Sequence, residues 1–134
     1  MYTYDDVWDS FLINYKTEAI NIPTEKDTIH NLILNSVRRM NNKMNIKIKL
    51  DYELETVDGL IDDNYLLILA AYIKLLILEN EKIYYTTLYQ PMNADIGIRN
   101  YNATVSSMSE EIKRQEILIQ ELIFNMGGDF NGYL

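Results

Sequence analysis

The chain has 134 residues and a formal net charge of −8, and it contains no cysteine. Its length fits one domain. The lack of cysteine excludes disulfides, thiolate metal sites and a cysteine nucleophile, and it favours a reducing compartment. An acidic chain repels phosphate backbones over long range, so nucleic-acid binding is not expected. The first ten residues carry three aspartates and no basic start, so a secretory signal is not expected.

Two amphipathic helices are predicted in the first third of the chain. The first runs from about Tyr4 to Tyr15, with aspartates at the positive end of its dipole and an apolar stripe at helical spacing. The pattern breaks at Lys16–Pro23. Thr24 is the predicted cap of the second helix, with Asp27 three residues later as in a capping box. That helix is expected to end near Asn41-Asn42.

Apolar and charged residues alternate strictly between Ile46 and Leu54. Strict alternation predicts a strand with one buried face. No partner strand is evident in the sequence, and a lone strand leaves its backbone groups unpaired. The strand is therefore expected to pair with the irregular region Asp95–Asn102 or to add to another subunit. In an isolated subunit it is expected to be poorly ordered.

The strongest predicted element is a helix over Asp63–Leu78 that is apolar nearly all round. This pattern is typical of a central core helix, so Leu69 and Ile73 are predicted to be fully buried. Asp62 and its neighbour supply the cap. The helix is too short to span a bilayer, which needs about 20 apolar residues. A further helical stretch is expected over Glu79–Gln90, stopped by the following proline.

Residues 91–104 are predicted to form a loop. The last helix is expected to begin near Ser107, with Glu110 completing a capping box, and to end at Gly127-Gly128. Its stripe consists of Met108, Ile112, Ile119, Leu122 and Met126, with Gln115 filling the gap. The stripe covers under three heptads, which favours packing within the bundle over an intermolecular coiled coil.

Together these elements predict a mostly α protein. The expected fold is a small helical bundle around a central apolar helix, with one extended or β segment at about 46–54. Residues 1–128 form the single domain, and residues 129–134 form a flexible tail.

The sequence offers little for catalysis. His30 is the only histidine and the chain has no cysteine, so it is interpreted as a solvated or packed side chain rather than a metal ligand or base. No serine lies in a nucleophile motif, which argues against a Ser-His-Asp site. The acidic run 51–63 could bind a cation, but Thr56 stands where a calcium loop requires glycine. The hypothesis that the protein is a metal-dependent nuclease depends on this acidic run alone. No catalytic residue, cofactor or metal is predicted, and the protein is expected not to be an enzyme.

Segments of opposite charge are neighbours along the chain. Such patches suit head-to-tail self-association, although bases late in a helix also complement its dipole. The tail adds aromatic side chains that could anchor in a pocket of a neighbouring protein. The predicted partner-binding residues are Arg38, Arg39, Lys43, Lys47, Lys49, Asp51, Glu53, Glu55, Asp58, Phe130, Tyr133 and Leu134.

Over roughly residues 25–126 the order of elements resembles the head–tail connector (adaptor) proteins of tailed bacteriophages. The similar features are a helix carrying Ile29, Leu32, Ile33 and Met40, an extended acidic crossing, an Asp63-x-Tyr65-x-x-Ile68-Leu69-Ala70 core helix, a Gly97-Ile98-Arg99-Asn100-Tyr101 loop, and a long helix to Met126.

This resemblance implies a structural virion protein that forms a ring, usually twelvefold, between the portal and the next neck or tail protein. The implied partners are other copies of the chain, the portal protein and the downstream neck protein. DNA would pass through the ring without sequence-specific binding, and no membrane is involved. The implied location is the virion neck, and the host cytoplasm during assembly. The alternative is a soluble helical regulatory or inhibitory protein that binds a host protein.

Overall fold

The computed structural model describes residues 1–15, 22–60, 62–88 and 95–130. Helices dominate these ranges, and a small antiparallel sheet accompanies them, which confirms the predicted mostly α fold. The elements are β1 (Tyr2–Thr3), α1 (Tyr4–Asn14), α2 (Lys26–Met44), β2 (Lys49–Asp51), β3 (Thr56–Asp58), α3 (Asp63–Leu88) and α4 (Asp95–Phe130).

Helix α3 is the centre of the bundle, and α1, α2 and α4 all pack against it. Leu69 and Ile73 are both 0% exposed, as predicted. The Asp62 carboxylate accepts hydrogen bonds from the backbone N–H groups of Asn64 and Tyr65, which confirms the predicted cap. The helix continues without interruption to Leu88, so the predicted boundary after Leu78 is absent.

Helices α1 and α2 lie close to their predicted positions. Thr3 and Asp6 form a reciprocal capping box at the start of α1, which fixes where the chain leaves β1. The predicted Thr24 cap of α2 is wrong, because the N-cap residue is Glu25 and it makes no side-chain capping bond. Helix α2 also runs past the predicted end, and Asn45 closes it in the left-handed conformation, which asparagine tolerates well.

The alternating segment is not one long strand. Strand β2 covers three residues of it and pairs antiparallel with β3, and β1 pairs with the other edge of β3. The two predicted partners, residues 95–102 and another subunit, are therefore wrong, because β2 pairs with β3 of its own chain. Leu50, Val57 and Tyr2 align across the sheet, and Val57 is fully buried against the helices.

Helix α4 differs most from its prediction. It begins by Asp95 rather than near Ser107, and it passes through both glycines to Phe130. The region proposed as a loop or strand partner is thus helical from residue 95. The predicted core stripe is present, with Gln115, Ile119 and Met126 buried. Gln115 donates a 2.9 Å hydrogen bond to the Ala71 carbonyl of α3, which satisfies a buried amide.

Candidate interaction surfaces

Arg39, predicted to bind a partner, is paired within its own chain. Its guanidinium makes a two-point ion pair with Glu79 of α3, at 2.6 and 3.0 Å. The hydrogen bonds to this carboxylate raise the pKa of Arg39. Planar two-point pairing of this kind gives directional attachment, so Arg39 connects α2 to α3 within the chain.

Glu55 is also engaged within the chain. Its carboxylate lies 2.8 Å from the Lys26 ammonium and 3.5 Å from His30 Nε2. The hydrogen bond from Lys26 lowers the pKa of Glu55. His30 in turn lies edge-on to the Tyr4 ring, with ring centroids 4.7 Å apart. The lone histidine is therefore a partly buried packing residue that joins α2 to the start of α1.

The other acidic candidates lie on the β2–β3 hairpin. One carboxylate oxygen of Asp51 accepts hydrogen bonds from the backbone of Glu53 and Leu54 and so shapes the turn. Asp58 is exposed and faces Lys49 across the strands in register. No ion pair joins these two residues, so both remain accessible on the hairpin surface.

The remaining bases, Arg38, Lys43 and Lys47, are exposed. None of them forms an ion pair within the described ranges. Lys43 lies on the rim of a groove of about 390 Å³ between α2 and α4. The groove wall and floor combine charged, amide and apolar side chains, namely Arg39, Asn42, Lys43, Tyr72, Leu75, Glu116, Ile119 and Gln120.

A second surface depression, of about 470 Å³, lies against α1. It combines acidic and apolar side chains, namely Met1, Tyr2, Asp6, Asp9, Ser10, Ile13, Asn14 and Leu66. The Tyr2 hydroxyl donates a 2.7 Å hydrogen bond to Asp63. That bond, with burial and the charges of nearby aspartates, raises the pKa of Tyr2.

Neither depression was predicted from the sequence. The signal at the α1 depression was the three aspartates of the first ten residues, which were interpreted as evidence against a secretory signal and, at the start of α1, as complementing the helix dipole. The groove residues from α4 carried no separate signal, because their meeting with α2 depends on tertiary packing.

The predicted tail is partly helical. Phe130 is the last residue of α4, whereas Tyr133 and Leu134 lie outside the described residues. Their predicted role in partner binding stays a prediction.

Among the described residues, no group of three or more His, Cys, Asp or Glu side chains is arranged to hold a metal ion. None of the described helices has the length and apolar character needed to cross a membrane.

The fold and surfaces define a small, mostly α protein with charged and apolar faces around one core helix. Residues 1–127 match the YomZ prophage protein family, and the chain belongs to that family. It is 31% identical, over 130 residues, to the SPbeta prophage-derived uncharacterized protein YomZ of Bacillus subtilis (strain 168). The alignment covers 97% of this chain and 99% of that relative. No solved structure is significantly similar to the chain. The family membership supports a phage origin.

Proposed function

We propose that the protein is a head–tail connector subunit, which assembles into a ring on the portal and offers a docking surface to the next neck protein. The observation that carries the proposal is membership of a prophage protein family by a small helical bundle. The order of elements adds support through its resemblance to connector proteins. The role requires protein binding and no catalytic step.

Exposed apolar side chains support an assembling subunit. Ile13 is 79% exposed, Phe124 is 77% exposed, and Ile83, Tyr84 and Leu88 are exposed together at the end of α3. Single exposed apolar residues are common in monomers, but several such groups on separate faces suit a subunit whose neighbours cover them. A ring around DNA also suits an acidic chain, because like charge disfavours retention of the phosphate backbone.

The oligomeric state tests the proposal. The purified chain is examined by sedimentation velocity over a wide concentration range, and its assemblies are imaged by negative-stain electron microscopy. The expected result is closed rings with a central hole, with the twelvefold symmetry that the connector resemblance implies. A chain that stays monomeric at every concentration, and that does not bind the portal protein of its own phage, would overturn the proposal and favour the host-binding alternative.

A further inference from the structure

The two surface depressions lie on opposite sides of the central helix. Leu66 lines the depression at α1, and Leu75 lines the groove between α2 and α4. These residues are nine positions apart on α3, which is about two and a half helical turns. Their side chains therefore leave α3 in nearly opposite directions. A ring formed by head-to-tail contacts needs two different surfaces placed in this way.

The two surfaces also differ in charge. Asp6 and Asp9 line the α1 depression, whereas Asp5 lies near Lys26 of α2. The chain contains no lysine or arginine before Lys16. Asp62 and Asp63 lie close to the same surface, since both raise the pKa of Tyr2 through their charge. The α1 depression is thus surrounded by acidic groups from α1 and from the start of α3.

The opposite surface includes the basic end of α2. Five bases and no acid occur from Arg38 to Lys49, and three of them, Arg38, Arg39 and Lys43, lie on α2. Arg39 is neutralised by Glu79, but Arg38 and Lys43 have no ion-pair partner among the residues described. Glu116 contributes one acidic group on the α4 wall of the groove. Lys43 offsets it within the groove, and Arg38, which lies one turn before Asn42 on α2 and does not line the groove, adds a second free positive charge on the α2 flank.

Both surfaces also carry apolar side chains that could contact each other. On the α1 side, Met1 is 84% exposed, and Ile13 projects from the last turn of α1. In the groove, Tyr72, Leu75 and Ile119 supply the apolar floor. An apolar side chain entering a groove with charged rims is a typical arrangement at the centre of a protein interface.

We propose that adjacent copies of this chain meet head to tail, with the acidic and apolar α1 surface of one copy seated in the α2–α4 groove of the next. This inference rests on the proposed ring function and identifies the contact that would build it. The neighbouring basic and acidic segments of the sequence suggest a different contact, in which the bases from Arg38 to Lys49 face the acidic run 51–63 of the next copy. The α1 contact is preferred because Glu55 and Arg39 are already engaged within their own chain. Opposite charges would guide the approach, and the apolar contact would hold the two copies together.

Cross-linking tests the contact directly, because the chain has no cysteine of its own. Ile13→Cys and Asn42→Cys are introduced into separate chains, which are mixed and treated with a short bis-maleimide linker. Both positions are exposed, so neither change should disturb folding. The expected result is efficient formation of a mixed dimer, and a chain carrying both cysteines should give a ladder of higher oligomers.

Two matched mixtures serve as controls. Ile13→Cys with Ile83→Cys places the second cysteine at an exposed site far along α3 from the groove. Asn42→Cys with Tyr52→Cys tests contact between the groove and the hairpin instead. Cross-linking in either control at the efficiency of the 13–42 pair would overturn the inference.

A charge exchange provides the second measurement. Asp9→Lys and Lys43→Glu should each weaken self-association about tenfold, a loss typical of a close interfacial charge pair. Combining both changes in one chain should recover much of the lost self-association. Asp58→Lys alters net charge equally at an exposed hairpin site and should have a smaller effect.

The outcomes separate this inference from the connector proposal. Rings that form without preferential 13–42 cross-linking would overturn the contact and leave the connector function standing. A chain that never associates would overturn both.

Discussion

The side-chain amide of Asn41 bonds to both backbone groups of Ile48. Its Nδ2 donates to the Ile48 carbonyl at 3.0 Å, and its Oδ1 accepts from the Ile48 N–H at 2.8 Å. This pair attaches the extended segment to the last turns of α2. Ile48 can then be buried without unpaired backbone groups, and the following residues enter β2 in register with β3.

Asn41→Ala should therefore destabilise the protein. It removes two hydrogen bonds and leaves a buried N–H and carbonyl without partners, which costs about 1–3 kcal/mol. Urea unfolding monitored by circular dichroism measures the difference. Asn35→Ala, at an exposed site on the same helix, should change the free energy of unfolding by about 0.5 kcal/mol or less. Equal effects of the two substitutions would show that the Ile48 contact contributes nothing.

Leu69→Ala should be among the most damaging single substitutions. Leu69 is fully buried in the first third of α3, so truncation loses transfer free energy and leaves a cavity, at a cost of about 2–5 kcal/mol. Leu88→Ala is the matched control, since Leu88 lies on the same helix but is 56% exposed. A loss below about 1 kcal/mol at Leu69 would contradict the central position of α3.

Gly59 occupies a position that disfavours other residues. Its φ is +100°, and a Cβ there would lie 2.9 Å from the Lys47 carbonyl oxygen. Gly59→Ala combines backbone strain with a clash against the main chain, so it should reduce the free energy of unfolding by about 1–3 kcal/mol. Chemical denaturation provides the measurement. An unchanged unfolding midpoint would mean that the extended segment does not approach Gly59 this closely.

Gly97→Ala should instead increase the free energy of unfolding. Gly97 is exposed within α4, and alanine is favoured over glycine in a helix by about 0.5–1 kcal/mol. The same denaturation experiment should show a more stable variant. Destabilisation would favour the loop that the sequence predicts around Gly97.

The sequence was informative where periodicity and burial agree. The apolar positions of α3 and the stripe from Gln115 to Met126 predicted which faces are buried, because α-helical spacing alone determines those faces. The prediction failed at the hairpin. Tyr52 and Leu54 continue the apolar alternation but are 61% and 71% exposed. Because the alternating pattern extends past the end of β2, it does not indicate where the turn begins.

Tertiary packing explains the remaining differences. The start of α4 contains glycine and asparagines, which favour loops in isolation. In the folded chain, Tyr101 stacks on Tyr85 with ring centroids 5.6 Å apart, and this contact with α3 supports a helix there. The candidate surfaces depend on the same packing, since the groove forms only where α2 and α4 meet across α3. Sequence spacing gives no information about that meeting.

Glu55 should give the protein a measurable acid dependence. Lys26 lowers the pKa of Glu55 in the folded state, so the carboxylate adds stability above its ordinary pKa, and this contribution is lost as the pH falls through the lowered value. The melting temperature should therefore decrease as the pH is reduced below about 4.5, the ordinary value for the group. Glu55→Gln should flatten that part of the profile, whereas Glu53→Gln, at an exposed site without an ion pair, should not. Carbon-13 NMR titration of the Glu55 carboxyl offers a direct check, because Lys26→Met should raise its pKa towards the ordinary value. A Glu55 pKa that is the same in the parent and in Lys26→Met would show that the 2.8 Å ion pair does not persist in solution.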